Sequence, residues 1–479
     1  MINLFFWLLA ISLMIGLTVP VLIRQGMFLD GIVYSAVSRN LSQGIGSFWF
    51  PYFDHFNMVN LPSFHEHPPL VFGIESLFFR AFGESMYVER FYVFLTMCLS
   101  AMLINIFWKE VHKQNAAIQK MGWLPIILWI SIPVCFWSFS NNMCENTMSL
   151  FISISVLLMY KALRSDTINY GQWILAGVCL MLAFLCKGFP AFFPLGVPLL
   201  YWFTTRRISF SKAAWYMSLL LLTLAVFSLG LYLYPPSHQS LSVYLIKRAF
   251  FRINEQPNVD HRSFMLIRLF SELLPILLLT SIFILIERLS KISSRVSIQN
   301  KEPLFFISIG LSGSLPFLLT SIQSGYYLVP TLPFFGLGFA CLLSSIVSSL
   351  IEKINLTIHK PLVIIGTFIL VGVCIFSFIQ KDKFSRDERL LHDVDLIGKT
   401  VPKYTRINCA FTTFQHYSFN SYLIRNFNIS LNCVDFDKQS SRFFIVEQSN
   451  IPDSSLHLHK MNLPMLDYSL YQTIEQPIE

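Results

Sequence analysis

Eleven apolar runs, most of them near the length that crosses a bilayer, constrain this chain more than any other feature. They fall at roughly 3–23, 89–107, 123–140, 147–161, 173–187, 189–203, 214–234, 265–286, 303–320, 326–349 and 361–379. A hydrocarbon core about 30 Å thick takes about 20 mainly apolar residues in a helix. Of 479 residues, 54% are hydrophobic and 13% charged, with 47 Phe. A soluble domain is about 25% charged and could not bury this much apolar surface. The fold class expected is an all-α polytopic membrane protein with about eleven transmembrane helices. The first run lacks a basic n-region and an A-x-A cleavage site, so it is expected to stay as an anchor.

Lys and Arg set the orientation. One alternating set of loops holds fourteen of them: Lys109, Lys113, Lys120, Lys161, Arg164, Arg206, Arg207, Lys212, Arg288, Lys291, Arg295, Lys301, Lys353 and Lys360. The short loops of the opposite set, 141–146, 187–188 and 321–325, hold only Lys187. The positive-inside rule puts the first set in the cytoplasm. The N-terminus is then cytoplasmic, and the tail after the eleventh run is external.

Residues 1–379 carry 24 Lys and Arg against 15 Asp and Glu, while 380–479 carry 11 against 12. The basic excess lies beside the apolar runs, where it meets anionic headgroups. No basic stretch stands apart from them, so nucleic acid is excluded as a partner. The division expected is a transmembrane domain over 1–379 and an external soluble domain over 380–479. In the tail, RINCAFTT and ISLNCVDF read as strands with the helix HYSFNSYLIRNF between them, and FFIVEQ as a third strand. A small α/β domain follows. Seven of the nine cysteines lie in or beside apolar runs and act as small hydrophobes; Cys409 and Cys433, in the tail, could pair in an oxidising compartment.

Two external loops are long, 24–88 and 235–264. In the first, Pro68-Pro69 can open a helix. Leu70, Ile74, Leu77, Phe78 and Ala81 then repeat at helical spacing up to Gly83. Such a helix is too short to span and is expected to lie at the membrane surface with its apolar face down. Residues 31–41 carry a weaker version of the same pattern.

Ionisable residues gather on this outer side. Asp30, just beyond the first run, could accept a proton from an acceptor hydroxyl or serve as a helix N-cap. His65, Glu66 and His67 directly precede the surface helix. Glu and His can ligate a divalent metal and His can meet a phosphate, or the group simply starts a helix. Lys187, in CKG, is the only charge between two runs. It can bind a lipid phosphate or snorkel. Asp260, His261 and Arg262 could contact phosphate or metal, or be a solvated loop. Arg268 and Glu272, four apart, are expected to pair. Glu145 can contact substrate or cap the fourth run, and Tyr326 and Tyr327 can line a cleft or belong to the interfacial belt.

The order of these motifs resembles the GT-C membrane glycosyltransferases, within them the group of protein O-mannosyltransferases and the lipid A aminoarabinose transferase. FLDGIVYSAVSRNL is similar to that group's first-loop segment, and FHEHPPLVFGIESLFFRAFGES with YVERF to its proline-containing segment. LMLAFLCKGFPAFFPL is similar to its Lys-Gly motif and SGYYLVPTLPFF to its late Tyr-to-Pro motif. The resemblance covers roughly 1–350. It implies a donor sugar on a polyprenyl phosphate, an outward-facing site and an envelope acceptor that is lipid, glycan or protein. Asp30 matches the catalytic carboxylate; Lys187, His67 and Arg262 would bind the donor phosphate. Glu66 and His261 would hold a divalent metal, if one is used. His65, Glu145, Tyr326 and Tyr327 would line the cleft. Gly31 stands where many relatives have a second acidic residue, His67 where the aminoarabinose transferase has Lys, and Gln323 near a frequent basic position.

These readings converge on sugar transfer with inversion at the outer face of a bacterial-type inner membrane. The alternatives are a lipid-diphosphate-dependent oligosaccharide ligase or polymerase, and a transporter or flippase. The last expects mid-span polar residues and broken helices in corresponding halves.

Overall fold

The computed structural model describes residues 1–55, 63–250, 258–289, 301–433, 441–449 and 458–473. Lys291, Arg295 and the last residues of the expected strand ISLNCVDF lie outside them. Among the described residues, nine helices are long and apolar enough to cross a membrane. The chain is thus a multi-pass membrane protein. Nine of the eleven expected runs are long enough in this sense; run 123–140 is broken, and run 189–203 is continuous but short. Run 123–140 splits into Trp123–Ile130 and Pro133–Ser138, because Pro133 has no N–H to continue a helix and instead starts a new one. Run 189–203 begins as a tight 3-10 segment, Phe189–Gly196, before the α-helix Val197–Thr205. Pro190, Pro194 and Pro198 recur there at four-residue spacing and remove successive α-helical donors. Broken helices are tolerated at membrane depth where protein surrounds them, and Trp123–Ile130 is buried at all but one of its eight positions.

The chain forms two compact units. The first takes residues 1–22, 65–70 and 93–381. In it, helix α1 (Ile2–Leu22) runs against His359–Ile379. Gly16 faces Val373, and Gly366 faces Phe5 and Leu8, so the backbones approach closely. Cys144–Leu163 packs along Tyr170–Lys187, where Ser155 donates to the Ala176 carbonyl at 2.8 Å. Leu222, Ile267 and Phe368 stand exposed on the outer helices, an apolar periphery that lipid covers.

The second unit takes residues 23–64, 71–92 and 382–479, so most of the first loop folds with the tail. It holds α2 (Leu29–Ser42), most of α3 (Leu70–Phe82) and the first turns of α4 (Tyr87–Val111). The tail contributes a sheet of β1 (Arg406–Cys409), β2 (Ser430–Cys433), β3 (Phe443–Glu447), β4 (Leu458–Lys460) and β5 (Tyr468–Thr473), in the order β2-β1-β3-β5-β4. β1 pairs in parallel with β2 and β3, while β5 is antiparallel to β3 and β4. The expected strand RINCAFTT ends at Cys409, and a short helix, Phe411–Phe414, follows it. Helix Tyr417–Phe427 then crosses to β2. The crossover brings Cys409 into register with Cys433.

Both expected helices of the first loop are present, but α2 is buried from Tyr34 to Leu41 and is a core helix of its unit. α3 ends at Gly83, whose φ of +82° suits a residue without Cβ. Its packed face is Val71, Phe72, Glu75, Ser76 and Phe79, with Ser38 donating to Glu75 at 2.7 Å. The periodic apolar set expected at this helix is the other face, on which Leu77 is 58% exposed. α3 is therefore apolar on both sides, one against protein and one free for lipid.

Candidate active site

Lys187 is the last residue of helix Tyr170–Lys187. The chain turns sharply after it at Gly188, whose φ is +86°. A Cβ there would collide with the Tyr244 hydroxyl, which donates to the Lys187 carbonyl at 3.4 Å. Glycine thus lets Tyr244 close over the helix end. The Lys187 side chain is 7% exposed and its Nζ lies 2.5 Å from Glu145 Oε1. Glu145 stands in the first turn of Cys144–Leu163 and is fully buried. Met143, not Glu145, occupies the N-cap of that helix, so the capping reading gives way to an ion pair.

Two rings complete the lysine's surroundings. Its Nζ is 5.1 Å from the centre of Tyr326 and 5.7 Å from that of Tyr327, within cation–π range. The rings meet edge to face in the 3-10 segment Gly325–Thr331, and Trp137 stacks on Tyr326 at 6.0 Å. Snorkelling to open solvent does not describe a lysine held this way. Lys187, Glu145, Tyr327, Tyr244 and His67 line a cavity of about 270 Å³. Met148, Phe189, Pro190, Phe317, Leu319 and Ile322 line much of the rest. A lining that combines a buried cation with apolar side chains suits an anion carrying a greasy chain.

The residues preceding α3 divide their tasks. His67 lines the cavity. His65 is buried beside it in sequence, with Nδ1 3.3 Å from Ser240 Oγ. Burial, aided by the charge of Lys247, pulls its imidazole down to about 4, so it is neutral near pH 7. Glu66 forms an ion pair with Arg248. His261 and Arg262 are exposed in a turn that Gln323 secures by donating to the Arg262 carbonyl at 3.3 Å; neither residue lines the cavity. Among the described residues, no group of three or more His, Cys, Asp or Glu is placed to hold a metal ion.

Arg268 and Glu272 pair at 2.6 Å, as their spacing predicts. Glu272 also accepts from the Val134 N–H at 2.6 Å, which caps the helix that Pro133 opens. Asp30 sits in the first turn of α2, where its charge favours the helix dipole, while Phe28 occupies the N-cap. Sequence reasoning missed Tyr244 and Arg248. The Lys247-Arg248 pair was the available signal, because it places basic residues on the side where the loops are otherwise poor in them.

The family model described as dolichyl-phosphate-mannose-protein mannosyltransferase matches residues 66–232. An undecaprenyl phosphate-alpha-4-amino-4-deoxy-L-arabinose arabinosyl transferase of Wigglesworthia glossinidia brevipalpis is 24% identical over 185 residues. That match covers 38% of this chain and 31%, about a third, of that protein's length. ArnT from Cupriavidus metallidurans, solved bound to undecaprenyl phosphate, superposes with a TM-score of 0.67 at 12% identity, over 98% of this chain and 97% of that one. The archaeal oligosaccharyltransferase AglB from Archaeoglobus fulgidus, in complex with an inhibitory peptide and a dolichol-phosphate, gives 0.50 at 11% identity over 92% and 69%. The chain has the fold of the GT-C membrane glycosyltransferases, and the resemblance read from its motifs is borne out.

Proposed function

We propose that this chain is a glycosyltransferase that moves a sugar from a polyprenyl-phosphate carrier to an envelope acceptor at the outer face of the inner membrane. The observation that carries this reading is Lys187, a buried cation lining a cavity that also carries an apolar lining of Met148, Phe189, Phe317, Leu319 and Ile322. A carrier phosphate would meet Lys187 and His67, and its prenyl chain would follow the apolar lining. In the transfer, the bond from the anomeric carbon to the phosphate oxygen breaks and a bond to the acceptor oxygen or nitrogen forms from the opposite face. The charge left on the departing phosphate is stabilised by Lys187. The acceptor's proton passes to Asp30, a role that rests on the motif resemblance. The acceptor can be a lipid, a glycan or a protein. The arabinosyl relative favours a pentosyl donor and the family model a hexosyl one. The basic loops favour a cytoplasmic N-terminus and an external tail.

The full chain in nanodiscs, given envelope lipid extract and undecaprenyl phosphate carrying either 4-amino-4-deoxy-L-arabinose or mannose, tests this by mass spectrometry of the products. Transfer from a monophosphate donor, lost in Asp30→Asn at normal abundance, is the expected result. The second reading is an oligosaccharide ligase or polymerase with a lipid-diphosphate donor, and transfer only from that donor would establish it. Near-normal transfer by Asp30→Asn removes Asp30 from the mechanism.

A further inference from the structure

The helix that carries Asp30 is held at both ends by the tail. On its N-terminal side, the Met27 N–H donates to the Tyr422 hydroxyl at 3.0 Å. The Tyr422 proton lies within reach of the Met27 carbonyl at 3.1 Å and of Asp387 at 3.0 Å. Just before this, the Gln25 N–H donates to the Lys383 carbonyl, and the Ser385 N–H to the Gln25 carbonyl, each at 2.8 Å. Near the C-terminal end of α2, the buried Arg39 guanidinium donates to the Arg425 carbonyl and to the Asn428 side chain. Asn428 ends helix Tyr417–Phe427 in the left-handed region, at φ +56°. Between these grips, Met27 and Ile32 share one hydrophobic core with Leu391, Tyr422, Leu423 and Leu470.

We propose that helix Tyr417–Phe427 is a positioning element for the reaction: Tyr422 and Asn428, acting through Met27 and Arg39, fix the helix on which Asp30 stands. This rests on the reading of Asp30 as the acceptor's base. A helix gripped at one end only could tilt about the other. Two grips, one on each side of Asp30, hold both its height and its rotation. A displacement of about 1 Å in a reacting group can cost about 100-fold in rate. Arg39 serves as a planar fork to two acceptors in fixed directions, which a lysine cannot reproduce.

Tyr422→Phe removes one hydroxyl and keeps the ring in the core. Asn428→Gly removes the amide and keeps a residue at ease at positive φ. Both are made in the full chain and assayed with the lipid-monophosphate donor that the wild type turns over. Each is expected to lower kcat by roughly 10- to 100-fold with KM for the donor nearly unchanged, and to shift the acid limb of the pH–rate profile. Hydrogen exchange over residues 29–42 is expected to speed up, while that over 144–163 stays at the wild-type rate. Arg39→Lys is expected to behave like Asn428→Gly. Wild-type kcat in both variants, while Asp30→Asn is inactive, overturns the positioning role alone. Unchanged exchange over 29–42 overturns it too. Normal transfer by Asp30→Asn instead defeats the base assignment on which the proposal stands.

Discussion

Lys187 and Glu145 form an ion pair of 2.5 Å in which both side chains are almost wholly withdrawn from solvent. Leaving one buried charge without its partner costs about 3–5 kcal/mol, whereas replacing both by apolar groups of similar size is often neutral. Lys187→Met is expected to lower transfer by at least about 100-fold and to lower the melting temperature. Lys187→Met with Glu145→Met is expected to recover the melting temperature and not the activity. Transfer assays and thermal unfolding of the three proteins check this. Activity retained in the double variant would show that the pair is only structural.

Glu66 and Arg248 are both partly exposed, so their attraction is screened. A double-mutant cycle with Glu66→Gln and Arg248→Gln is expected to give a coupling of about 1 kcal/mol in unfolding. Exchange of the two residues, Glu66→Arg with Arg248→Glu, is expected to be more stable than either reversal alone. A coupling of zero would mean that Glu66 has another main partner.

Burial pushes the Cys409 thiol up to about 12, with a smaller push from Cys433. Its folded-state value is raised, so the stability it contributes is complete below the ordinary thiol range and is lost as pH rises through about 9 to 12. Between pH 8 and pH 10 the loss is expected to be about 1.4 kcal/mol. Denaturant unfolding at the two pH values, for wild type and Cys409→Ala, measures it; the variant is expected to fall by that much less. Equal falls would place the thiol in contact with water.

Much of this molecule follows from rules that act along the chain. Hydropathy located the spans because lipid leaves a backbone little choice but a helix. It overran at 123–140, because apolarity does not register where proline withholds a donor. Lys187, Glu145 and the two tyrosines each stood out as polar groups in apolar settings. Their convergence on one ion was not legible, since nothing local couples Cys144–Leu163 to Gly325–Thr331. Arg248 was not legible because Lys247-Arg248 is an isolated basic pair whose acidic partner lies 182 positions away. The first loop's attachment to the tail left no trace in either segment, for Met27 and Ile32 look like any residues of an interfacial stretch.

The contact between Met27 and Tyr422 joins residues 395 positions apart in sequence. At roughly 5–20 residues per second, a ribosome needs on the order of 20–80 s to make the interval. For that time the segment around Met27 is without the partners that complete its core. A nascent chain halted before Tyr422 would offer a protease the segment that carries Asp30.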